Sequence, residues 1–237
     1  MAIVVPLTKE TKSQHEYFFE VVSVDVIIED GLIKKRTKSG KHPLIQDLNK
    51  KQKSGLVLFS TGTTGRPKAI LHNFENFIER FRTPRQAYRT LNFLMFDHIG
   101  GINTLFHTLF NKGLVVTTKS RQVSEILEIL KLFQIEVLPT TPTFLRLMLL
   151  SGLIPDQISK SLRIISYGTE RMDQTTLDQL CALLPDVDFR QTYGMSEIGI
   201  VRVKSKARNS LFMRLGGEGI KTRIKEGVLE IWSRTKM

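Results

Sequence analysis

Short apolar runs alternate with segments of helical period along most of the chain. Leu56 to Phe59 reads as a buried strand, and His72 to Phe81 as an amphipathic helix with Phe74, Phe77, Ile78 and Phe81 on one side. The order then repeats. Leu91 to Phe96 is a strand, Ile99 to Phe110 a helix, Leu114 to Thr118 a strand, and Ser124 caps a helix through Phe133. Glu136 to Leu138 is a strand, and Pro142 at a first turn opens a helix to Leu150. Arg163 to Ser166 is a strand, Asp173 caps a helix through Leu184, and Asp188 to Gln191 closes the series. This order predicts an α/β fold, a mostly parallel sheet flanked by helices.

The two ends differ from this middle. Val21 to Ile28 is apolar on both faces and predicts a strand, Glu29-Asp30-Gly31 a turn, and Leu32-Ile33 the start of a return strand. Basic and polar residues from Lys34 to Ser54 predict a loop or short-helix connector. After Gly199 the helical period stops, and short strand-like pieces at 200–203, 211–215, 220–224 and 228–232 are punctuated by glycines. Three segments are expected: residues 1–53, β-rich and basic; 54–199, the α/β core; and 200–237, a small β subdomain at the C-terminal end, truncated.

Composition narrows the class. With 237 residues, 41% of them hydrophobic, the chain can bury a substantial core, and its longest apolar runs are far too short for a membrane span. One cysteine, Cys181, excludes an internal disulfide and falls in a helical pattern, as a small buried residue does. No secretory leader is recognisable, so a cytoplasmic protein is expected. The net charge of +12 is spread along the chain apart from two clusters, Lys34 to Lys41 and Lys50 to Lys53, and neither has interleaved aromatics for base stacking. A solvated surface or a general attraction for small phosphate-bearing ligands accounts for it better than nucleic acid does.

The chemistry concentrates in Ser60-Thr61-Gly62-Thr63-Thr64-Gly65-Arg66-Pro67-Lys68, which follows the first buried strand. Four hydroxyls and free amides can surround phosphate oxygens, and Lys68 supplies a cation. The spacing is not that of a Walker A loop. This run resembles the phosphate-binding loop of the adenylate-forming superfamily, which includes acyl-CoA synthetases, luciferases and peptide-synthetase adenylation domains. It departs from the family pattern at Ala69, where glycine is usual. Further along, Gln191-Thr192-Tyr193-Gly194-Met195-Ser196-Glu197 resembles the family's second nucleotide segment. The resemblance assigns adenine stacking to Tyr193, close approach to Gly194, a hydroxyl near the α-phosphate to Ser196, and a Mg²⁺-binding carboxylate to Glu197, with Thr64 as its neighbour.

Three weaker segments fall between or beyond these. Gly168-Thr169-Glu170 matches the position of the family's adenine-side loop, or is simply a turn and helix entry. His98 and Gly101 resemble the residues that border the acyl pocket, although a lone histidine at a strand end is as often a packing residue. His15, His42, His72 and His107 have no metal-ligand spacing and read as structural or exposed. The glycine-rich stretch after Leu215 resembles the family's β-rich region, so the resemblance runs from about Ser54 to Trp232.

The family implies ATP and Mg²⁺ as cofactors, a small carboxylic acid as substrate and CoA as acyl acceptor. Lys68, Ser196 and Glu197 would act in the chemistry. No Thr-Gly-Asp occurs in the sequence, and the family's hinge arginine and lid lysine are not found. Two expectations follow: an incomplete ligase core, served by a separate lid domain or acyl-carrier protein, or a non-catalytic module that binds ATP or an acyl-adenylate.

Overall fold

The computed structural model describes residues 2–36, 40–60, 65–217 and 219–233. The chain divides into two compact units. The first comprises the residues through Arg80 together with Phe96–His98, and the second Phe81–Met95 and the residues from Ile99 onward.

In the first unit, β1 (Ile3–Val4) is followed by a 3-10 turn and helix α1 (His15–Val21), the hairpin β2 (Val26–Glu29) and β3 (Leu32–Lys35), and helix α2 (Pro43–Lys50). Then come β4 (Gly55–Ser60), β5 (Lys68–Asn73) and α3 (Phe74–Glu79). The turn between β2 and β3 falls at Asp30-Gly31, as the sequence predicts. The strand expected from Val21 does not form there. Tyr17, Phe18 and Val21 lie on one side of α1 instead, Val22 follows as its C-cap, and the Phe18 ring stacks on Phe59 at 3.9 Å. Burial against β4 outweighs the β-propensity of the valines.

A second correction concerns the hydroxyl-rich run. It leads not into a helix but into β5, which pairs antiparallel with β4 from Ser60↔Lys68 to Gly55↔Asn73. The helix starts only at Phe74, where Asn73 Oδ1 accepts from the Glu75 and Asn76 amides at 3.0 and 3.3 Å. Ala69, Ile70 and Leu71 gain more by completing the sheet beside buried β4 than by extending a short helix.

The second unit is built on the strands β6 (Arg89–Leu91), β7 (Leu114–Val116), β8 (Val137–Thr140), β9 (Ile164–Tyr167) and β10 (Asp188–Gln191). They form one sheet, in the order β10-β9-β8-β6-β7, parallel throughout. The connecting helices are α4 (Ile99–Phe110), α5 (Val123–Leu132), α6 (Pro142–Leu150), the short α7 (Ile154–Gln157) and α8 (Gln174–Leu183). The strand expected over Leu91 to Phe96 ends at Leu91, and α5 is capped by Gln122, not Ser124: the Ile126 amide already donates to the Gln122 carbonyl at 3.0 Å. Beyond the sheet, β11 (Tyr193–Met195), β12 (Gly199–Ser205) and β13 (Met213–Gly216) make a small antiparallel sheet, and β14 (Ile220–Lys225) pairs with β15 (Val228–Ser233). The mostly parallel α/β architecture with antiparallel β elements at its C-terminal end is therefore present.

The two faces of the parallel sheet are unlike. Because side chains alternate along a strand, Leu91, Leu138, Ile165 and Phe189 share one face. They are buried against Ile126, Leu127 and Leu130 of α5, Leu145 and Met148 of α6, and Leu177 and Leu180 of α8. The other face carries Thr90, Val137, Pro139, Ile164, Ser166 and Arg190, smaller or more polar residues, and borders a cavity. One face makes the core and the other borders the cavity.

Asp173 closes α8 as the sequence predicts. Its carboxylate accepts from the Thr176 amide and hydroxyl, both at 2.8 Å, and from Arg146 Nε at 3.0 Å. The Thr176 bonds first, and then Arg146, pull its pKa down to about 2. A carboxyl whose folded pKa is depressed contributes stability above its unfolded pKa and loses it as pH falls through the folded value. Acid unfolding of the wild type should therefore steepen between roughly pH 4 and pH 2. Asp173→Asn, which keeps the acceptor but not the charge, should flatten that part of a pH-unfolding curve followed by circular dichroism.

Candidate functional site

Each unit carries part of the chemistry that the sequence marks. In the first, Ser60 at the end of β4 and Lys68 at the start of β5 are directly opposed, so their side chains share a face of the hairpin. Lys68 is exposed and Ser60 half-buried. The exit of the loop is pinned: the Tyr17 hydroxyl donates to the Pro67 carbonyl at 3.1 Å, and the Arg66 guanidinium lies over the Tyr17 ring at 5.5 Å. Gly65 is described, but Thr61, Gly62, Thr63 and Thr64 lie outside the described residues.

His98 also belongs to the first unit. Its Nε2 is 3.8 Å from Asp97 Oδ1. Asp97 is 7% exposed, and its Oδ2 accepts from the Thr8 and Thr11 hydroxyls at 2.7 and 3.2 Å. A carboxylate this buried and tied down makes a fixed wall beside the His98 ring.

In the second unit the C-terminal ends of β9 and β10 come together. The Thr192 amide donates to the Tyr167 carbonyl at 2.7 Å, and the Thr192 hydroxyl donates to the same oxygen at 3.1 Å. This places Gly168 and Thr169 beside Thr192 and Gly194, and all four border the cavity on the open face of the sheet. Gln191 is half-buried, and its side-chain oxygen has no hydrogen-bond partner among the described residues. Tyr193, Gly194 and Met195 turn back as β11 against β12, and Ser196 and Glu197 occupy the turn between them. Tyr193 and Ser196 are half-buried, whereas Met195 and Glu197 are exposed.

Glu170 is placed differently. Its carboxylate accepts from the Thr143 amide at 3.1 Å and from the Thr143 hydroxyl, at the N-terminus of α6. That is a capping role, favoured by the positive end of the helix. Gly101 is likewise spoken for: a Cβ built on it would lie 2.1 Å from the Met95 carbonyl oxygen, and its own carbonyl accepts from Asn92 Nδ2 at 3.0 Å. Its neighbour Gly100 borders the cavity.

The cavity has a volume of about 260 Å³. Its opposite wall is α4, which offers Gly100, Asn103, Thr104, His107 and Thr108, followed by Asn111 just past its end. These positions recur every three or four residues, which is one stripe of a helix. The stripe is polar and faces inward, while Leu109 and Phe110 of the same helix are exposed. A helix normally does the reverse. The spacing is visible in the sequence, but nothing there tells that α4 turns this stripe toward the sheet, and His107 reads there only as structural or exposed.

Among the described residues, no group of three or more His, Cys, Asp or Glu side chains is placed to hold a metal ion. No helix among them is long and apolar enough to cross a membrane.

Comparison with known proteins bears on both units. The model of a family described as AMP-binding enzyme matches residues 3–216. The chain is 25% identical over 154 residues to a 4-coumarate--CoA ligase-like protein of Arabidopsis thaliana, an alignment covering 60% of this chain and 27% of that protein. It is 24% identical over 218 residues to an acyl-CoA synthetase of Caenorhabditis elegans, covering 81% of this chain and 39% of the relative. Its fold matches that of o-succinylbenzoate CoA synthetase from Bacillus subtilis in complex with its acyl-adenylate intermediate. There the TM-score is 0.56 and the identity 20%, over 73% of this chain and 37% of the other. The chain thus spans well under half the length of these relatives.

Proposed function

The chain belongs to the AMP-binding enzyme family, and from that premise we propose that it is the nucleotide-handling core of an enzyme that activates a carboxylic acid with ATP. The carboxylate oxygen attacks the α-phosphorus, the bond to the bridging oxygen breaks, and pyrophosphate leaves with the electron pair, giving an acyl-adenylate. A thiol such as CoA then takes the acyl group and releases AMP. The observation that carries this reading is the convergence of Gly168, Thr169, Thr192 and Gly194 on one cavity at the C-terminal ends of parallel strands, where open α/β sheets bind their ligands.

The roles of the side chains follow from their chemistry and from the resemblance. Lys68 and the hydroxyls of Ser60, Thr61, Thr63 and Thr64 hold the outer phosphates. Tyr193 stacks on adenine, Gly194 allows close approach, and the Ser196 hydroxyl meets the α-phosphate. Glu197 is a single exposed carboxylate with no ion pair among the described residues, which fits a Mg²⁺ that arrives with the triphosphate better than a resident metal. Such an ion would neutralise phosphate charge.

Isothermal titration with a non-hydrolysable acyl-adenylate mimic tests the proposal directly. Binding is expected, with Lys68→Ala weakening ATP and Tyr193→Ala weakening the mimic by about tenfold, as loss of a charged hydrogen bond or a stacking contact does. Unchanged affinities in both variants would refute the assignment. Carboxylate-dependent pyrophosphate release, measured with and without a separately expressed lid domain, separates a ligase core from a binding module.

A further inference from the structure

The small sheet beyond the parallel one has two unlike faces. Val201, Val203, Met213 and Leu215 of β12 and β13 are buried or half-buried, whereas Arg202, Lys204 and Arg214 are exposed. One solvated face is ordinary for an antiparallel sheet. Its charge is not. From Ile198 to Gly217 the sequence holds five basic residues and no acidic one. Arg208 is committed, its guanidinium donating to the Cys181, Leu184 and Pro185 carbonyls at the end of α8. Arg202, Lys204, Lys206 and Arg214 form no ion pair among the described residues.

Lys204 stands directly opposite Arg214 in the ladder. Like charges so placed have Cβ atoms about 5 Å apart and destabilise the pairing. The hairpin of β14 and β15 does the reverse, setting Arg223 against Glu230 in an ion pair at 2.5 Å. An exposed ring accompanies the uncompensated cations. Lys206 just past β12 and Phe212 just before β13 are both exposed, and at 84% Phe212 is the most exposed large apolar residue among those described. Its amide donates to the Ser210 hydroxyl at 3.1 Å, and Leu211 beside it packs on the core. The ring therefore stands out from an anchored loop.

We infer that this face docks the chain on an anionic lipid surface, with its four cations against headgroup phosphates and the Phe212 ring in the interfacial layer. Such docking is independent of the proposed function. Cations on one face of a strand recur about every 7 Å, which suits an extended array of phosphates better than one small anion. Each cation adds attraction to an anionic bilayer, and an apolar side chain supplies the second anchor that a stable peripheral contact needs. Single-stranded nucleic acid, another extended polyanion, is gripped by stacking on several aromatics, and this face offers one.

Cosedimentation of the full chain with lipid vesicles tests the docking. Vesicles of phosphatidylcholine with about one-third phosphatidylserine should bind it, and vesicles of phosphatidylcholine alone should not. Raising salt from about 0.1 M to about 1 M shortens the screening length from about 10 Å to about 3 Å and should release the chain. Lys206→Ala and Arg214→Ala should each weaken binding about fivefold, the worth of one cation at such a surface. Phe212→Ser should weaken it about tenfold. Lys204→Glu is the sharpest variant, because it puts an opposite charge across from Arg214. Its melting temperature should be unchanged or raised, while vesicle binding falls about 25-fold.

Lys119→Ala, which removes an exposed cation elsewhere in the same unit, should leave binding unchanged. If it costs as much as Arg214→Ala, overall charge accounts for the binding and the inference falls. No binding to the anionic vesicles, equal binding to the neutral ones, or full binding by Lys204→Glu would also overturn it. A single-stranded oligonucleotide, followed by fluorescence anisotropy, is the remaining arm. If it binds with the same dependence on Lys204 and Phe212 while vesicles do not, the face belongs to nucleic acid and not to lipid.

Discussion

Gly101→Ala is expected to destabilise the second unit by about 3 kcal/mol, although a glycine-to-alanine change inside a helix ordinarily stabilises by about 1 kcal/mol. The reversal has a local cause. The new methyl would lie 2.1 Å from the Met95 carbonyl oxygen and 2.7 Å from its carbonyl carbon, with the Leu94 carbonyl at 3.1 Å. These are backbone atoms and cannot rotate away. The helix start is also tied to this strap by the Asn92 bond to the Gly101 carbonyl. Gly100→Ala is the control, because a Cβ there meets only the end of Leu94, at 3.6 Å. Urea unfolding should show Gly101→Ala with a much lower midpoint and Gly100→Ala with one unchanged or raised. If Gly101→Ala instead kept full stability and altered only acid affinity, Gly101 would be a pocket residue and the packing account wrong.

Gly168→Ala should weaken an acyl-adenylate mimic by more than tenfold and lower stability by about 2 kcal/mol. A Cβ on Gly168 would lie 2.3 Å from the Thr192 hydroxyl oxygen and 2.7 Å from its carbonyl oxygen. Thr192 cannot retreat cheaply, since its amide and hydroxyl both hold the Tyr167 carbonyl. The methyl must therefore prise apart the ends of β9 and β10, the place where the site residues of this unit converge. Adding Thr192→Ala removes the hydroxyl contact but leaves the carbonyl one, so the double variant should recover little. Calorimetry with the mimic, beside a thermal melt of each variant, checks both effects. Binding retained in a destabilised Gly168→Ala protein would mean that the strand ends support the fold but not the ligand.

These two glycines show where reading the sequence stops. In the sequence, Gly101 stands beside His98 and shares the resemblance to an acyl-pocket border, while Gly168 marks a loop that is also a plausible turn. The structure gives Gly101 to a backbone contact and puts Gly168 on the cavity. Glu170 was legible as part of a Gly-Thr-Glu loop, but its carboxylate caps α6 through Thr143, 27 residues away in sequence. A partner that distant leaves no mark on local spacing.

Short-range physics was readable from the chain itself. Apolar period, proline at a first turn and the Asp173 cap define α4, α6 and α8 nearly to the residue, because each signal acts within a few positions. The order of strands and helices gave the parallel α/β class, and the hydroxyl-rich run and Tyr193 to Glu197 gave the family by resemblance. Only the tertiary structure decided three further matters. It made Val21 the end of a helix and Val22 its cap, because Phe18 and Val22 bury against the strand that carries Phe59. It continued the hydroxyl-rich loop into β5, because edge pairing with β4 satisfies backbone groups that a short helix could not. And it faced the polar stripe of α4 toward the sheet, which no local pattern specifies, since turning a helix about its own axis leaves its sequence unchanged. The side on which a stripe is buried depends on what the rest of the fold leaves open.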